Sequence, residues 1–336
     1  MKKNKKIIKD YFISVIAVLD NDFDILGKFV LETINVLKNN YENYELVLID
    51  NGSNDKTESL INKILETEEG IHYIKLSRKY DLEVAMSAGL ETAIGDVVII
   101  LEPQSDPPKL IPSFVNKTIS TGGVVFGIRT NYDNKMPLHY RMGKVIFHLF
   151  CNMFFEFSPP KNAGFFMGLS RSALNAIIQI KGRTKFLRVF GSRIGFNTTK
   201  ISYKVEPMRK KLRARSFVKS LDYSIAVIFT NSNRYLRIVS LLGLFVAALN
   251  LLLVAGVILI AFFKQNLVAK VLLVPLQNAV MFFFVFLIIA LFVEYVIRNI
   301  DNTKERPVYY IDYEKNSTVM IRNESERRNV FESPRD

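Results

Sequence analysis

The sequence contains one cysteine, Cys151, among its 336 residues. An internal disulfide and a zinc site built from cysteines are therefore excluded, and a reducing cytosolic compartment suits this composition. Acidic residues are also few, since 32 Asp and Glu stand against 45 Lys and Arg, a formal charge of +13. This excess indicates nucleic acid, an anionic membrane surface or phosphorylated ligands as partners. Tyr and Phe are not interleaved with Arg as in a base-stacking surface, which disfavours nucleic acid.

Formal charge is absent from two long apolar segments, the 26 residues between Arg237 and Lys264 and the 23 residues between Lys270 and Glu294. Each is longer than the about 20 residues that a helix needs to cross a hydrocarbon core. We therefore predict two transmembrane helices, at 238–263 and 271–293, joined by a short loop as a hairpin. The polar residues inside them are typical of contacts between membrane helices and are compatible with a homo-oligomer.

A hairpin places both of its long flanks on the same side of the membrane. Those flanks carry basic residues, which assign that side to the cytoplasm by the positive-inside rule: Arg234, Arg237, Arg298, Lys304 and Arg306. The predicted organisation is a cytoplasmic domain at 1–215, an interfacial helix at 216–235, the membrane region at 236–297 and a cytoplasmic tail at 298–336. A further segment, 136–157, is equally consistent with an interfacial helix and a buried amphipathic one.

Strand and helix patterns alternate along the first hundred residues. Continuous apolar strands are predicted at 13–19, 44–49, 72–76 and 97–101, with amphipathic helices between them. This alternation predicts a mostly parallel α/β sheet covered on both faces, a Rossmann-like fold. Asp50, Arg78 and Glu102 each come at or just after the end of a strand, where ligands bind in such sheets.

Several segments in order resemble the inverting glycosyltransferases of family two. The sequence YELVLIDNGSNDKT at 44–57 is similar to the strand of that family that ends in Asp-Asp-Gly-Ser, and LSRKYDLEVAMSAG at 76–89 to its next conserved stretch. Gly95-Asp96, Asp106-Pro107-Pro108, 125–129, Ser170-Arg171 and Arg306-Pro307-x-Tyr309 also fall in register. The membrane-anchored polyprenyl-phosphate type, which includes dolichol-phosphate mannose synthase and bactoprenol glucosyltransferases, looks most similar. The resemblance implies a GT-A-like fold.

The resemblance also implies roles for individual residues. Asp50 would accept hydrogen bonds from a nucleobase, with Asn51, Gly52 and Ser53 in the adjoining turn and Arg78 near the nucleotide. The diphosphate or the acceptor phosphate would be held by basic and hydroxyl side chains: Arg129, Arg141, Arg213, Arg215 and Ser216. The alternatives are that Asp50 is a turn residue, that Arg78 is a surface partner and that the basic segment 210–217 is a solvated stripe.

The family metal motif, Asp-x-Asp followed by Gln and Asp-Pro-Pro, is altered at 101–108. Aligned from the left, Glu102 and Gln104 replace the two aspartates; aligned from the right, neither aspartate has an acidic replacement. Glu102 with Asp106 would supply the catalytic carboxylates, and Glu102 with Gln104 would hold Mg²⁺ or Mn²⁺. Phe165 and Met167 stand where the family commonly has an aspartate and an arginine, so a general base is missing there.

The resemblance implies a multi-pass enzyme of a bacterial-type inner membrane. It would move a sugar from a UDP- or GDP-linked donor to a polyprenyl phosphate or another lipid-linked acceptor at the cytoplasmic face. A phosphate acceptor is already ionised and needs no general base, so the altered residues are compatible with this reaction. The alternative is a catalytically impaired relative that binds nucleotide-sugar or lipid, or that acts as a scaffold.

Overall fold

A computed structural model describes residues 8–130, 160–180, 186–206, 208, 241, 243–252, 255–256, 259, 267–303 and 307–317. The predicted helix at 136–157, Arg141, and the basic segment with Arg213, Arg215 and Ser216 lie outside the described residues. The chain divides into two compact units. The first contains the sheet and its covering helices, and the second contains apolar helices near the C-terminus.

The first unit begins as an alternation of strands and helices. In chain order these are β1 (Ile8–Leu19), α1 (Phe23–Asn40), β2 (Tyr41–Asp50), α2 (Thr57–Thr67), β3 (Ile71–Leu76), α3 (Leu82–Thr92), β4 (Val97–Leu101), α4 (Ile111–Thr121) and β5 (Val124–Arg129). A single 3₁₀ turn, Pro108–Leu110, precedes α4. The four strands predicted in this part of the sequence are present, each at or within a few residues of its predicted bounds.

The rest of the first unit comprises β6 (Ala163–Ser170), α5 (Arg171–Gln179), α6 (Leu187–Arg193), β7 (Thr198–Tyr203) and β8 (Ile311–Asn316). Ser170 caps α5, because its hydroxyl accepts a hydrogen bond from the N–H of Ala173 at 3.3 Å. β8 belongs to the same sheet as the N-terminal strands.

Among the described residues, eight strands form one sheet in the order β7-β5-β6-β4-β1-β2-β3-β8. The centre, β4-β1-β2-β3, is parallel. β6 is antiparallel to both β4 and β5, and β8 is antiparallel to β3. The sheet is thus mixed, with the predicted parallel arrangement at its centre and an antiparallel insertion that the alternating pattern did not indicate.

Both faces of the sheet are buried, which explains the uninterrupted apolar strands. In β1, Ile13, Val15 and Ala17 pack with α1 on one face, while Ile16 and Val18 pack with α3 on the other. A strand that is covered on both sides has no solvent-facing position, so it carries no alternating polar residues.

The second unit contains apolar helices. One is α7 (Gly243–Leu252), and the other is α8 (Leu267–Thr303), which includes Pro275. Within the described residues, α8 alone is long and apolar enough to cross a membrane, with a mean hydropathy of 2.8 over Val280–Ile297. The first predicted span, 238–263, lies partly outside the described residues, so the two-helix hairpin stays a prediction.

Candidate active site

The carboxyl ends of the parallel strands lie together at one edge of the sheet. Leu19 of β1 pairs with Asp50 of β2, and Asp50 pairs with Lys75 of β3. On the other side of β1, Ala17 pairs with Leu101 of β4. Asp50 ends β2 and Glu102 follows β4, and these two strands lie on either side of β1. With roughly 4.8 Å between adjacent strands, the two residues are about 10 Å apart.

Asp50 is fully buried at the end of β2. One carboxylate oxygen accepts a hydrogen bond from the Tyr73 hydroxyl at 2.7 Å, and the other accepts from the Ser53 N–H at 2.8 Å. Burial and the bond to this carboxylate raise the pKa of Tyr73, so the hydroxyl remains a donor. The carboxylate thereby shapes the 50–53 turn.

The 50–53 turn is fastened to the 77–80 loop that follows β3. The side-chain amide of Asn51 donates to the Tyr80 carbonyl at 2.9 Å and accepts from the Tyr80 N–H at 2.8 Å. Gly52 has φ of 68°, and a Cβ there would lie 2.6 Å from the Lys79 nitrogen. Only glycine allows this conformation and this approach without strain. We call the 50–53 turn together with the 77–80 loop the donor clamp.

Two basic residues of the donor clamp are held in place. The Arg78 guanidinium lies over the Tyr80 ring, 5.0 Å from its centroid. Lys79 forms an ion pair with Asp20 at 2.5 Å, which ties the loop to the end of β1. The structure thus brings Asp50, Asn51, Gly52, Ser53 and Arg78 together, as the sequence predicts for one binding region.

A second cluster lies at the end of β4. The Arg129 guanidinium donates through Nη2 to Glu102 Oε2 at 2.5 Å and to Asp106 Oδ1 at 3.0 Å. Its Nε donates to the Tyr203 hydroxyl at 3.1 Å, and that hydroxyl donates to Asp106 Oδ1 at 2.6 Å. Ser105 adds contacts to the same atoms. We call Glu102, Ser105, Asp106, Arg129 and Tyr203 the arginine cluster.

The two carboxyl groups of the arginine cluster have opposite shifts. Burial raises the pKa of Asp106, and the neighbouring charge of Glu102 adds to that shift although Arg129 opposes it. Burial also acts to raise the pKa of Glu102, but the charge and hydrogen bond of Arg129 outweigh it and lower the pKa. Glu102 is therefore the more firmly ionised partner of the guanidinium.

A second guanidinium, that of Arg188 in α6, lies close to the arginine cluster. It is 4.6 Å from the ring centroid of Phe165, and its charge contributes to the lowered pKa of Glu102. Arg129 packs against the other side of the same segment, since a Cβ at Gly164 would lie 2.6 Å from its Nε. Phe165 and Met167 are buried in β6, so no carboxylate occupies the place of the family aspartate.

The donor set of the arginine cluster does not fit a divalent ion as it stands. Asp106 Oδ1 and Oδ2 and Glu102 Oε2 all accept hydrogen bonds within the cluster. The Gln104 amide turns to Asp22, to which it donates at 3.2 Å. Mg²⁺ in such sites binds one or two carboxylates together with waters and substrate phosphates, and here Arg129 already engages both carboxylates. Among the described residues, no group of three or more His, Cys, Asp or Glu side chains is arranged to hold a metal.

The sequence did not indicate three residues that complete these sites: Tyr73, Arg188 and Tyr203. Tyr73 and Tyr203 look like ordinary apolar strand residues. Their hydroxyls reach Asp50 and Arg129 because β3 pairs with β2 and β7 pairs with β5, and these pairings depend on strand order. Arg188 lies in α6, and no local sequence pattern shows that this helix packs next to β6.

The sequence is similar to known glycosyltransferases. Residues 14–178 match the family model for Glycosyl transferase family 2. An undecaprenyl-phosphate 4-deoxy-4-formamido-L-arabinose transferase of Pectobacterium atrosepticum is 26% identical, over 94% of this chain and 98% of that protein. A bactoprenol glucosyl transferase of Shigella phage SfV is 28% identical, over 64% and 70%. An uncharacterized glycosyltransferase of Synechocystis sp. is 26% identical, over 71% and 75%.

Among solved structures, glucosyl-3-phosphoglycerate synthase from Mycobacterium tuberculosis, in complex with Mn²⁺, uridine diphosphate and glucosyl-3-phosphoglycerate, is similar. Its sequence identity is 16%, its TM-score is 0.46, and the match covers 66% of this chain and 78% of that one.

Proposed function

We propose that the chain, a glycosyltransferase whose residues 14–178 match the family 2 model, transfers a sugar from a nucleoside-diphosphate donor to a polyprenyl phosphate at a membrane surface. The observation that carries this proposal is the donor clamp, in which the turn after β2 is joined to the loop after β3 at the carboxyl edge of the sheet. In open α/β sheets this edge binds ligands. A relative that aligns with 94% of the chain is named for undecaprenyl phosphate.

The donor clamp is suited to the nucleotide half of the donor. Arg78 supplies a guanidinium there, which lies over the Tyr80 ring. Guanidinium groups bind phosphate through paired hydrogen bonds, so Arg78 is placed for the diphosphate of a UDP- or GDP-linked sugar. Because the Asp50 carboxylate is buried and accepts hydrogen bonds from Ser53 and Tyr73, we assign to it the positioning of the turn rather than contact with the base.

The residues near β6 favour an acceptor that is already ionised. Phe165 occupies the position of the family aspartate, and the Arg188 guanidinium lies over its ring. A hydroxyl acceptor would need a base to remove its proton, whereas a phosphate monoester presents a charged oxygen at neutral pH. An arginine on an aromatic ring stays protonated and is not a base, so it would not activate the hydroxyl.

The proposed reaction is a direct displacement. A phosphate oxygen of the acceptor forms a bond to the anomeric carbon while the bond from that carbon to the donor diphosphate breaks, and the electron pair leaves with the diphosphate. No proton is transferred, and the configuration at the anomeric carbon inverts. The contribution of the protein is to position both reactants and to compensate the charge of the leaving group with guanidinium groups.

A membrane location follows from the acceptor and from α8. Over Val280–Ile297 none of this helix is buried within the protein, and large side chains such as Phe283 and Phe286 are 64% and 67% exposed. So large an apolar surface is stable in lipid and costly in water. We propose that α8 is the second span of the predicted hairpin, with the first at 238–263, and that the sheet domain lies on the cytoplasmic side of an inner membrane.

The full-length chain in detergent, incubated with labelled UDP- and GDP-sugars, tests the proposal. Undecaprenyl phosphate is the acceptor in one arm, and undecaprenol, which has a hydroxyl in place of the phosphate, is the matched acceptor in the other. We expect labelled lipid with the phosphate alone. Transfer to undecaprenol would contradict the assignment of the acceptor. Nucleotide binding without transfer to either would favour the alternative of a non-catalytic binder, which the saturated carboxylates of the arginine cluster also suit.

A further inference from the structure

Two guanidinium groups lie on either side of the first residues of β6. Arg129 meets Gly164, where a Cβ would lie 2.6 Å from Nε and 2.9 Å from Cζ. Arg188 lies over the Phe165 ring at 4.6 Å and approaches the Ala163 carbonyl at 3.5 Å. The segment 163–165 thus lies between the two guanidinium groups, of which Arg129 contacts the carboxylates of Glu102 and Asp106.

Arg129 occupies the space between those carboxylates. A single nitrogen, Nη2, donates to Glu102 at 2.5 Å and to Asp106 at 3.0 Å. The Arg129 side chain is 11% exposed and the Asp106 side chain is 0% exposed, so the pairing is shielded from water. An entering metal ion would therefore have to displace the Arg129 guanidinium from both carboxylates.

The charges of this region balance in the same way as in a metal site. Two carboxylates with one divalent cation have a net charge of zero. Glu102 and Asp106 with Arg129 and Arg188 also sum to zero when all four are charged. The four groups can therefore receive a diphosphate with the electrostatic balance that a divalent ion would otherwise supply.

We propose that Arg129 and Arg188 replace the divalent cation in this glycosyltransferase, so that the nucleoside diphosphate binds and leaves without a metal ion. Arg129 fixes the two carboxylates, and Arg188 provides the second positive charge next to the leaving group. This inference rests on the proposed function, because it concerns the same donor. It replaces the expectation, drawn from the resemblance, that Glu102 and Gln104 hold Mg²⁺ or Mn²⁺.

The test measures binding rather than turnover. UDP and GDP are titrated by calorimetry into the full-length protein, once in EDTA and once with MnCl₂. For the nucleotide that binds, we expect the two dissociation constants to agree within about twofold. A constant that tightens by about tenfold or more with Mn²⁺ would overturn the inference and leave the proposed function intact. Absence of binding by both nucleotides in both conditions would overturn the two together.

Variants assign the effect to the arginines. In Arg129→Met the carboxylates are released, and we expect nucleotide binding to be lost in EDTA and regained with Mn²⁺. In Arg188→Gln we expect affinity in EDTA to fall by about tenfold. Lys109→Ala removes an exposed ion pair with Glu206 near the same loop and is the matched control, with unchanged affinity. If Arg129→Met proves unfolded by circular dichroism, Arg188→Gln decides, and binding in EDTA equal to that of the original protein would refute the role of the arginines.

Discussion

Replacing Gly52 by alanine tests whether the donor clamp depends on the close approach of its two segments. The new Cβ would lie 2.6 Å from the Lys79 nitrogen and 2.7 Å from the Arg78 carbonyl carbon, whereas ordinary contact begins at 3.4 Å. The 78–79 backbone must therefore retreat by about 0.8 Å, a distance that would break the two hydrogen bonds between Asn51 and Tyr80.

The expected cost has two parts. The left-handed conformation of residue 52, with φ of 68°, costs a non-glycine residue about 1–2 kcal/mol. Overpacking against the backbone adds about 1–3 kcal/mol. Because the displaced loop carries Arg78, we expect nucleotide affinity to fall by about tenfold or more. Urea unfolding and calorimetric titration of UDP and GDP measure the two effects.

Gly122→Ala is the matched control, since Gly122 has φ of 64° but nothing within 4 Å of its Cβ position. It carries the same conformational strain without the collision, so stability should fall by about 1–2 kcal/mol with nucleotide affinity unchanged. Equal losses of affinity in the two variants, or an unchanged affinity in Gly52→Ala, would refute the reasoning about the clamp.

Two further predictions concern the arginine cluster and the edge of the sheet. Tyr203→Phe removes the 2.6 Å hydrogen bond to Asp106 and the acceptor of Arg129 Nε. Urea unfolding should show a loss of about 1–3 kcal/mol in the free energy of unfolding. A loss within error of zero would show that these two hydrogen bonds do not stabilise the protein. Hydrogen bonds from Lys75 and Tyr313 lower the pKa of Glu58. This contribution to stability is therefore complete above the unfolded pKa of about 4.3 and is lost as the pH falls through the lower folded value. Unfolding curves on both sides of that range should show a smaller decline for Glu58→Gln than for the original chain, and parallel declines would contradict the pairing.

The parallel centre of the sheet was predictable because strands that are buried on both faces appear in the sequence as continuous apolar segments. Residues 13–19 and 97–101 are apolar at every position except Ser14, and their flanking helices are amphipathic. The positions of Asp50 and Arg78 followed from the same rule, since parallel strands end at one edge. The turn at Asn51 and Gly52 was also identifiable, through the resemblance.

The arginine cluster was not predictable because its pairings depend on strand order. Arg129 was expected to hold phosphate, yet in the structure it contacts Glu102 and Asp106. These contacts exist because β6 enters antiparallel between β4 and β5, while β7 brings Tyr203 alongside β5. Neither periodicity nor spacing specifies such an insertion. The burial of the Asp50 carboxylate was likewise hidden, because its partner Tyr73 comes from a different strand.

The last strand of the sheet is synthesised long after its neighbour. Ser317 binds the backbone of Ile71 across 246 residues of sequence, and between them comes the apolar helix α8. While the chain is being made, the outer edge of β3 stays unpaired until the ribosome has finished α8 and released β8. An open edge of this kind attracts other strands, so a truncated or stalled product would be prone to aggregate. β8 can therefore pair with β3 only in a chain in which α8 has already been synthesised.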